Sequence, residues 1–233
     1  RTLLHRLRTV SSEQVSATGS SVEGITFSPD GTRIAAISSD DQLSIFDVAS
    51  GALLGQTDTG PVLHKLVFTP DGRQIYACAV NRILLAWDGT NANFVEAVGM
   101  LPGSPIDIQL SPDGFRLLVT HSDARICIWD LKTRRPFGQE LQHPEKIRSV
   151  AFTDRGSSLV IAGDEVRSWA IARGSDDFEF VPGGEITALA SLPGRNALLI
   201  SDASGVHLWE LYANTWKESW PDTQCCSSTK RNG

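Results

Sequence analysis

Ser28-Pro29-Asp30-Gly31 returns as Thr69-Pro70-Asp71-Gly72 and Ser111-Pro112-Asp113-Gly114, then in altered form as Thr153-Asp154-Arg155-Gly156 and Ser191-Leu192-Pro193-Gly194. The five glycines stand 41, 42, 42 and 38 residues apart. An aromatic follows each one: Phe46, Trp87, Trp129 and Trp209 after fifteen residues, Trp169 after thirteen. A period of about 40–45 residues means one small module stacked on copies of itself. Each copy is built around a tight turn. Proline presets φ, aspartate bonds back to its own backbone, and glycine accepts positive φ.

Outward from the first turn, Val22–Phe27 alternates apolar and other residues, as a half-buried strand does. Arg33–Ser38 reads as a second strand, Asp40-Asp41 as a turn and Gln42–Asp47 as a third strand. Ala49-Ser50-Gly51 turns again into a fourth, Ala52-Leu53-Leu54-Gly55. The later copies follow the same course. In the third, Pro136 points to a short outer strand over 136–141. No segment carries a helical period, so the chain is read as all-β, with four antiparallel strands per repeat.

Phe46-Asp47, Trp87-Asp88, Trp129-Asp130, Trp169-Ala170 and Trp209-Glu210 resemble the aromatic–acid pair that closes the third strand of a WD40 repeat. Five such pairs in register with five turns extend the resemblance over residues 22–219. It implies a β-propeller of four-stranded antiparallel blades, with five blades visible. It also implies a hydrogen-bond network in the fourth blade from His143, Asp164 and Trp169. The Gly-His pair that opens a standard repeat is mostly missing, so the other blades are expected to rely on apolar packing between sheets.

Residues 1–21 are read as one strand of a preceding blade (Leu3-Leu4-His5-Arg6-Leu7) with a polar connection, and 220–233 as a polar, disordered tail. Two readings of the array stay open. The chain is the C-terminal part of a longer ring, seven-bladed and linked to an upstream domain, or Leu3–Leu7 closes a ring of five.

The net charge of −6 and pI near 5.3 argue against general nucleic-acid binding and against an anionic membrane surface. No apolar run is long enough to span a membrane. Cys78 and Cys127 fall in strands and read as buried thiols, while Cys225 and Cys226 are adjacent in a polar stretch. This usage fits a reducing compartment, taken as the cytoplasm.

Chemistry is sparse. His5, His64, His121, His143 and His207 do not pair at metal-ligand spacing, and there is no nucleophile elbow or phosphate loop. No catalytic residue, metal or cofactor is expected. Asp30, Asp71 and Asp113 are explained by turn formation, and Lys132-Thr133-Arg134-Arg135 by a solvated turn. The resemblance implies that partners meet the narrow face, formed by turns between second and third strands and by the connections between blades. Asp41, His64, Arg82, Arg125, Lys146, Arg148 and Glu165 are the candidates there. Their mixed charge suits a protein or peptide partner. The expected function is a non-catalytic interaction scaffold, or a C-terminal sensor module of a larger signalling protein. The alternative is a propeller enzyme such as a lactone hydrolase.

Overall fold

The computed structural model describes residues 21–153, 156–163, 166–171, 175–180, 186–191, 197–202, 205–210 and 215–220. Leu3–Leu7, Asp164, Glu165 and the stretch 221–233 lie outside them. All the regular structure is strand, with no helix long and apolar enough to cross a membrane among the described residues. The chain divides into two compact units, Arg1–Gln142 and His143–Gly233.

The first unit holds three antiparallel sheets, each with the form of a propeller blade. Strands β1 (Val22–Phe27), β2 (Arg33–Ser38), β3 (Gln42–Asp47) and β4 (Leu53–Asp58) lie in chain order. So do β5 (Leu63–Phe68), β6 (Gln74–Ala79), β7 (Ile83–Asp88) and β8 (Phe94–Met100). The third sheet has β9 (Pro105–Leu110), β10 (Arg116–His121) and β11 (Arg125–Asp130). Its fourth strand is broken: β12 (Arg135–Pro136) and β13 (Leu141–Gln142) each pair with β11 over two residues. The continuous strand read over 136–141 is therefore corrected. Pro136 has no N–H for the ladder, and Gly138 turns the backbone to φ 73°.

Each hairpin of the first unit includes a residue in the left-handed region. Asp41, Arg82 and Ala124 serve between second and third strands, at φ 59°, 67° and 61°. On the opposite edge, the Ser/Thr-Pro-Asp-Gly turns fold as the sequence implies. Ser28 Oγ donates to Asp30 Oδ1 at 2.6 Å, Thr69 Oγ1 to Asp71 Oδ1 at 2.6 Å, and Ser111 Oγ to Asp113 Oδ1 at 2.5 Å. The Ser28 hydroxyl, then the Thr32 N–H and hydroxyl, hold the Asp30 carboxyl down to about 2.

Alternation sends the two faces of each sheet to different neighbours. Ala35, Ile37, Leu43 and Ile45 pack onto Leu66, Phe68, Ile75, Ala77, Leu85 and Trp87 of the next sheet. Tyr76, Cys78, Leu84 and Ala86 in turn pack onto Ile108, Leu117, Val119, Cys127 and Trp129. Burying each leucine, isoleucine, valine or phenylalanine among them contributes about 1.5–3 kcal/mol. Trp87 and Trp129 are buried while their Nε1 groups meet no acceptor among the described residues, so both act as apolar wedges. Trp87 also meets Phe94 edge-on, centroids 6.0 Å apart.

The second unit holds two more four-stranded sheets. One is β14 (Ser149–Thr153), β15 (Ser158–Ala162), β16 (Val166–Ala170) and β17 (Ser175–Phe180). The other is β18 (Ala188–Ser191), β19 (Ala197–Asp202), β20 (Gly205–Glu210) and β21 (Thr215–Trp220). Ala151, Val160, Ala162 and Val166 of one pack onto Ile186, Leu198, Ile200 and Trp209 of the other.

Candidate functional site

In the first unit, the turns between second and third strands are tied down from both sides. Ser39 N–H donates to Ser21 O (2.9 Å), Val80 N–H to Val62 O (3.0 Å) and Ser122 N–H to Ser104 O (3.0 Å). The connection leaving the fourth strand holds the other end. Thr59 N–H donates to Asp41 O (2.8 Å) and Leu101 N–H to Arg82 O (2.7 Å). In the third sheet, where the outer strand is broken, the Gln142 side-chain amide does this work at Asp123 O (3.0 Å). Loops fixed this way are presented on a rigid frame, which lowers the ordering cost of binding.

The same edge carries a bulge at one repeat position. Register shifts fall between Val22 and Gly24, between Leu63 and Lys65, and opposite Thr120–His121, leaving Glu23, His64 and Ile106 outside the regular ladder. A bulge re-aims the residue it carries. Of the sequence candidates, Asp41, His64, Arg82 and Arg125 thus share this edge of the first unit. Arg82 is exposed and Asp41 half-buried.

Arg125 is not a free contact. Its Nε and Nη2 donate to Asp123 Oδ2 at 2.8 and 2.7 Å, and its Nη1 to Glu140 Oε2 at 3.2 Å. The Arg125 guanidinium holds the Asp123 carboxyl below the usual carboxylate range. A β-carbon on Gly103 would lie 2.9 Å from Arg125 Nη2 and 3.2 Å from His121 Nδ1, so the connection presses onto this pair. Buried His121 places Nε2 3.2 Å from Cys127 Sγ. Burial foremost, then the Arg125 charge, lower the His121 pKa, while burial pushes the Cys127 thiol up to about 12. Both groups are neutral at pH 7. They lock the turn.

In the second unit, Lys146 and Arg148 are exposed beside the start of β14, and Arg148 N–H donates to Ala162 O at 2.8 Å. Glu165 lies outside the described residues. Of the residues expected to form the fourth-blade network, His143 and Trp169 are described. His143 is buried with Nδ1 3.0 Å from Glu145 O, and Trp169 is half-buried. Asp164 lies outside the described residues.

The basic run on the opposite edge is structural. Thr133 N–H donates to Asp130 Oδ1 at 2.7 Å, and Arg134, at φ 56°, pairs with Glu96 at 2.6 Å. No group of three His, Cys, Asp or Glu side chains that could hold a metal ion occurs among the described residues.

Reading single residues for charge missed an apolar feature. Val62 and Val80 are 48% and 45% exposed, joined through their backbones. The equivalent pairs in the flanking repeats are Ser21–Ser39 and Ser104–Ser122. Nearby on this edge, Met100 ends β8 and Ile106 occupies its bulge, both exposed. Aligning the repeats on their glycines exposes the substitution, since Val62 and Val80 sit ten residues before and eight after Gly72. Isolated exposed valines are ordinary; an exposed apolar pair on a pinned turn is a candidate contact surface.

A family model described as "WD domain, G-beta repeat" matches residues 9–47. The chain is 28% identical over 138 residues to a WD repeat-containing protein 26 homolog of Arabidopsis thaliana, covering 58% of this chain and 23% of that protein. It is 25% identical over 143 residues to protein groucho of Drosophila melanogaster, covering 60% and 20%. With the transcriptional corepressor LEUNIG_HOMOLOG of Arabidopsis thaliana it shares 23% over 203 residues, 83% of this chain and 25% of that one. The chain thus spans a quarter or less of the length of each of these relatives.

Proposed function

We propose that this chain, whose repeats match the WD40 family, is an interaction scaffold that grips a protein partner along the turn edge of its first three sheets. One observation carries the reading: an exposed Val62–Val80 pair stands where both flanking repeats have serines. Arg82, two residues beyond Val80 on the same turn, and Asp41, on the equivalent turn of the first sheet, give the apolar pair a charged rim, the composition of a protein contact. The partner class is a protein or peptide with an apolar anchor. The sheets do no chemistry in this account. They hold the turns still. The finer reading is that these sheets form a regulatory module within a longer signalling protein, with the partner's arrival transmitted to the rest of the polypeptide.

The test is affinity purification of the intact protein, wild type against the double variant Val62→Ser, Val80→Ser, with co-purifying proteins quantified by mass spectrometry. The variant copies the neighbouring repeats, so the fold is retained. Loss of a specific protein from the variant is the expected result, and an identical set would overturn the reading.

A further inference from the structure

The second strand of each sheet in the first unit ends on a different residue. Ser38, Ala79 and His121 each stand seven residues after their turn glycine. The backbone around them repeats. Asp41 N–H donates to Ser38 O, Arg82 N–H to Ala79 O and Ala124 N–H to His121 O, at 3.1, 2.9 and 3.2 Å. Of the three, only His121 carries an ionisable ring.

His121 is 1% exposed, and its Nδ1 meets no hydrogen-bond partner among the described residues. The connection 101–104 closes over it. A β-carbon on Gly103 would lie 3.2 Å from His121 Nδ1 and 2.9 Å from Arg125 Nη2, so ring and guanidinium converge on one point of that backbone. Arg125 Nη2 also reaches Pro102 O at 3.4 Å. The third strand adds the Cys127 thiol, the turn adds Asp123 and the outer loop adds Glu140; Arg125 already engages both carboxylates. The first strand sets Pro105 opposite His121 and Asp107 opposite Thr120. From the second sheet come buried Cys78, in the same core as Cys127, and Arg82, whose carbonyl accepts from Leu101 N–H and whose side chain is exposed. Leu101, Pro102, Gly103 and Ser104 carry no titratable group. A second positive charge here would sit beside Arg125 and out of water, with Asp123 and Glu140 taken. Burying a charge on those terms is costly.

We propose that His121 is an acid-sensitive latch, whose protonation releases the connection 101–104 and the turn 122–125 while the matching edges of the first two sheets stay closed. The sign follows from where the ring can hold a proton. Closed, it is buried beside Arg125, and burial foremost lowers its pKa from the ordinary 6.5; open, it is in water and titrates near that value. Protons therefore favour the open edge as pH falls below about 6.5, and the closed edge is kept above it. Cys127 stays neutral throughout, and Asp123, held low by Arg125, stays ionised. The latch is a property of the third sheet and stands whether or not that edge binds a partner.

Hydrogen–deuterium exchange of the intact protein at pH 7 and pH 5, each rate divided by the intrinsic rate at that pH, tests this. Protection of the Leu101, Ser122 and Ala124 amides should fall several-fold, with a ceiling of about 25-fold set by an open-state ring titrating at 6.5. The Ser39, Asp41, Val80 and Arg82 amides, in the matching bonds, should hold theirs. His121→Ser copies the first sheet and His121→Ala the second; either should abolish the acid response. Unchanged protection in the wild type, equal loosening of all three edges, or a variant that loosens as the wild type does would each overturn the proposal. Should neither variant fold, the comparison of the three edges within the wild-type chain decides.

Discussion

The guanidinium of Arg33, in the first sheet, donates a 2.6 Å hydrogen bond to the carbonyl of Gly89, in the second. The same group lies 5.8 Å from the centre of the Phe68 ring. One mostly buried side chain thus staples two repeats at the edge opposite the proposed contact surface.

Arg33→Met should therefore cost about 2 kcal/mol, the range for a hydrogen bond from a charged donor. Arg33→Lys keeps the charge but not the flat surface over Phe68, and should recover less than half of the loss. Urea unfolding of the three proteins measures this. Equal stability of all three would show that the staple is idle.

Gly114 and Gly31 occupy the same place in their turns, at φ 74° and 69°. A β-carbon on Gly114 would lie 2.6 Å from Pro70 Cδ, whereas one on Gly31 meets nothing within 4 Å. Gly31→Ala should cost only the left-handed backbone penalty, about 1–2 kcal/mol. Gly114→Ala adds a clash with the neighbouring turn and should exceed it by at least about 1 kcal/mol. Thermal or urea unfolding compares them; equal costs would mean the turns do not press on each other.

These repeats were legible because their local rules agree. Ser28, Asp30 and Gly31 each want the turn they make, and Ile45 and Phe46 alternate as a strand requires. The four strands of the first two sheets lie where the alternation puts them, within a few residues at the outer edge. Less was legible where tertiary context decides. The break at Phe137–Glu140 depends on Pro136 and Gly138 acting together. Arg125 looked like a surface charge because Asp123 and Glu140 converge on it only in the folded sheet. Val62 and Val80 were invisible to a search for charged or catalytic groups, since their meaning lies in the serines they replace.

Arg82 holds a left-handed backbone that a glycine would adopt without strain. Arg82→Gly should stabilise the fold by up to about 1 kcal/mol and weaken partner binding roughly fivefold, the effect of losing about 1 kcal/mol at a contact. Ala124→Gly, with the same geometry, should stabilise similarly and leave affinity alone. Calorimetric titration alongside unfolding separates the two. An Arg82→Gly protein that binds as tightly as wild type would remove Arg82 from the contact surface.

The Asp30 carboxyl ionises at about 2 in the folded chain against an ordinary 3.8. A depressed pKa means the folded state binds fewer protons in that window, so the turn's contribution is full above about pH 4 and fades as pH falls toward 2. Asp30→Asn removes this term. Its unfolding midpoint should decline less steeply than that of wild type between pH 5 and 2. Parallel pH profiles would contradict the hydrogen-bond assignment to Ser28 and Thr32.

Hydrogen–deuterium exchange of the intact protein, with and without its purified partner, reads the contact surface without any substitution. The account predicts slowed exchange on binding at residues 59–64 and 80–82, with the turns at 28–32 and 111–115 unchanged. Protection confined to those opposite turns, or to the outer strands, would contradict it.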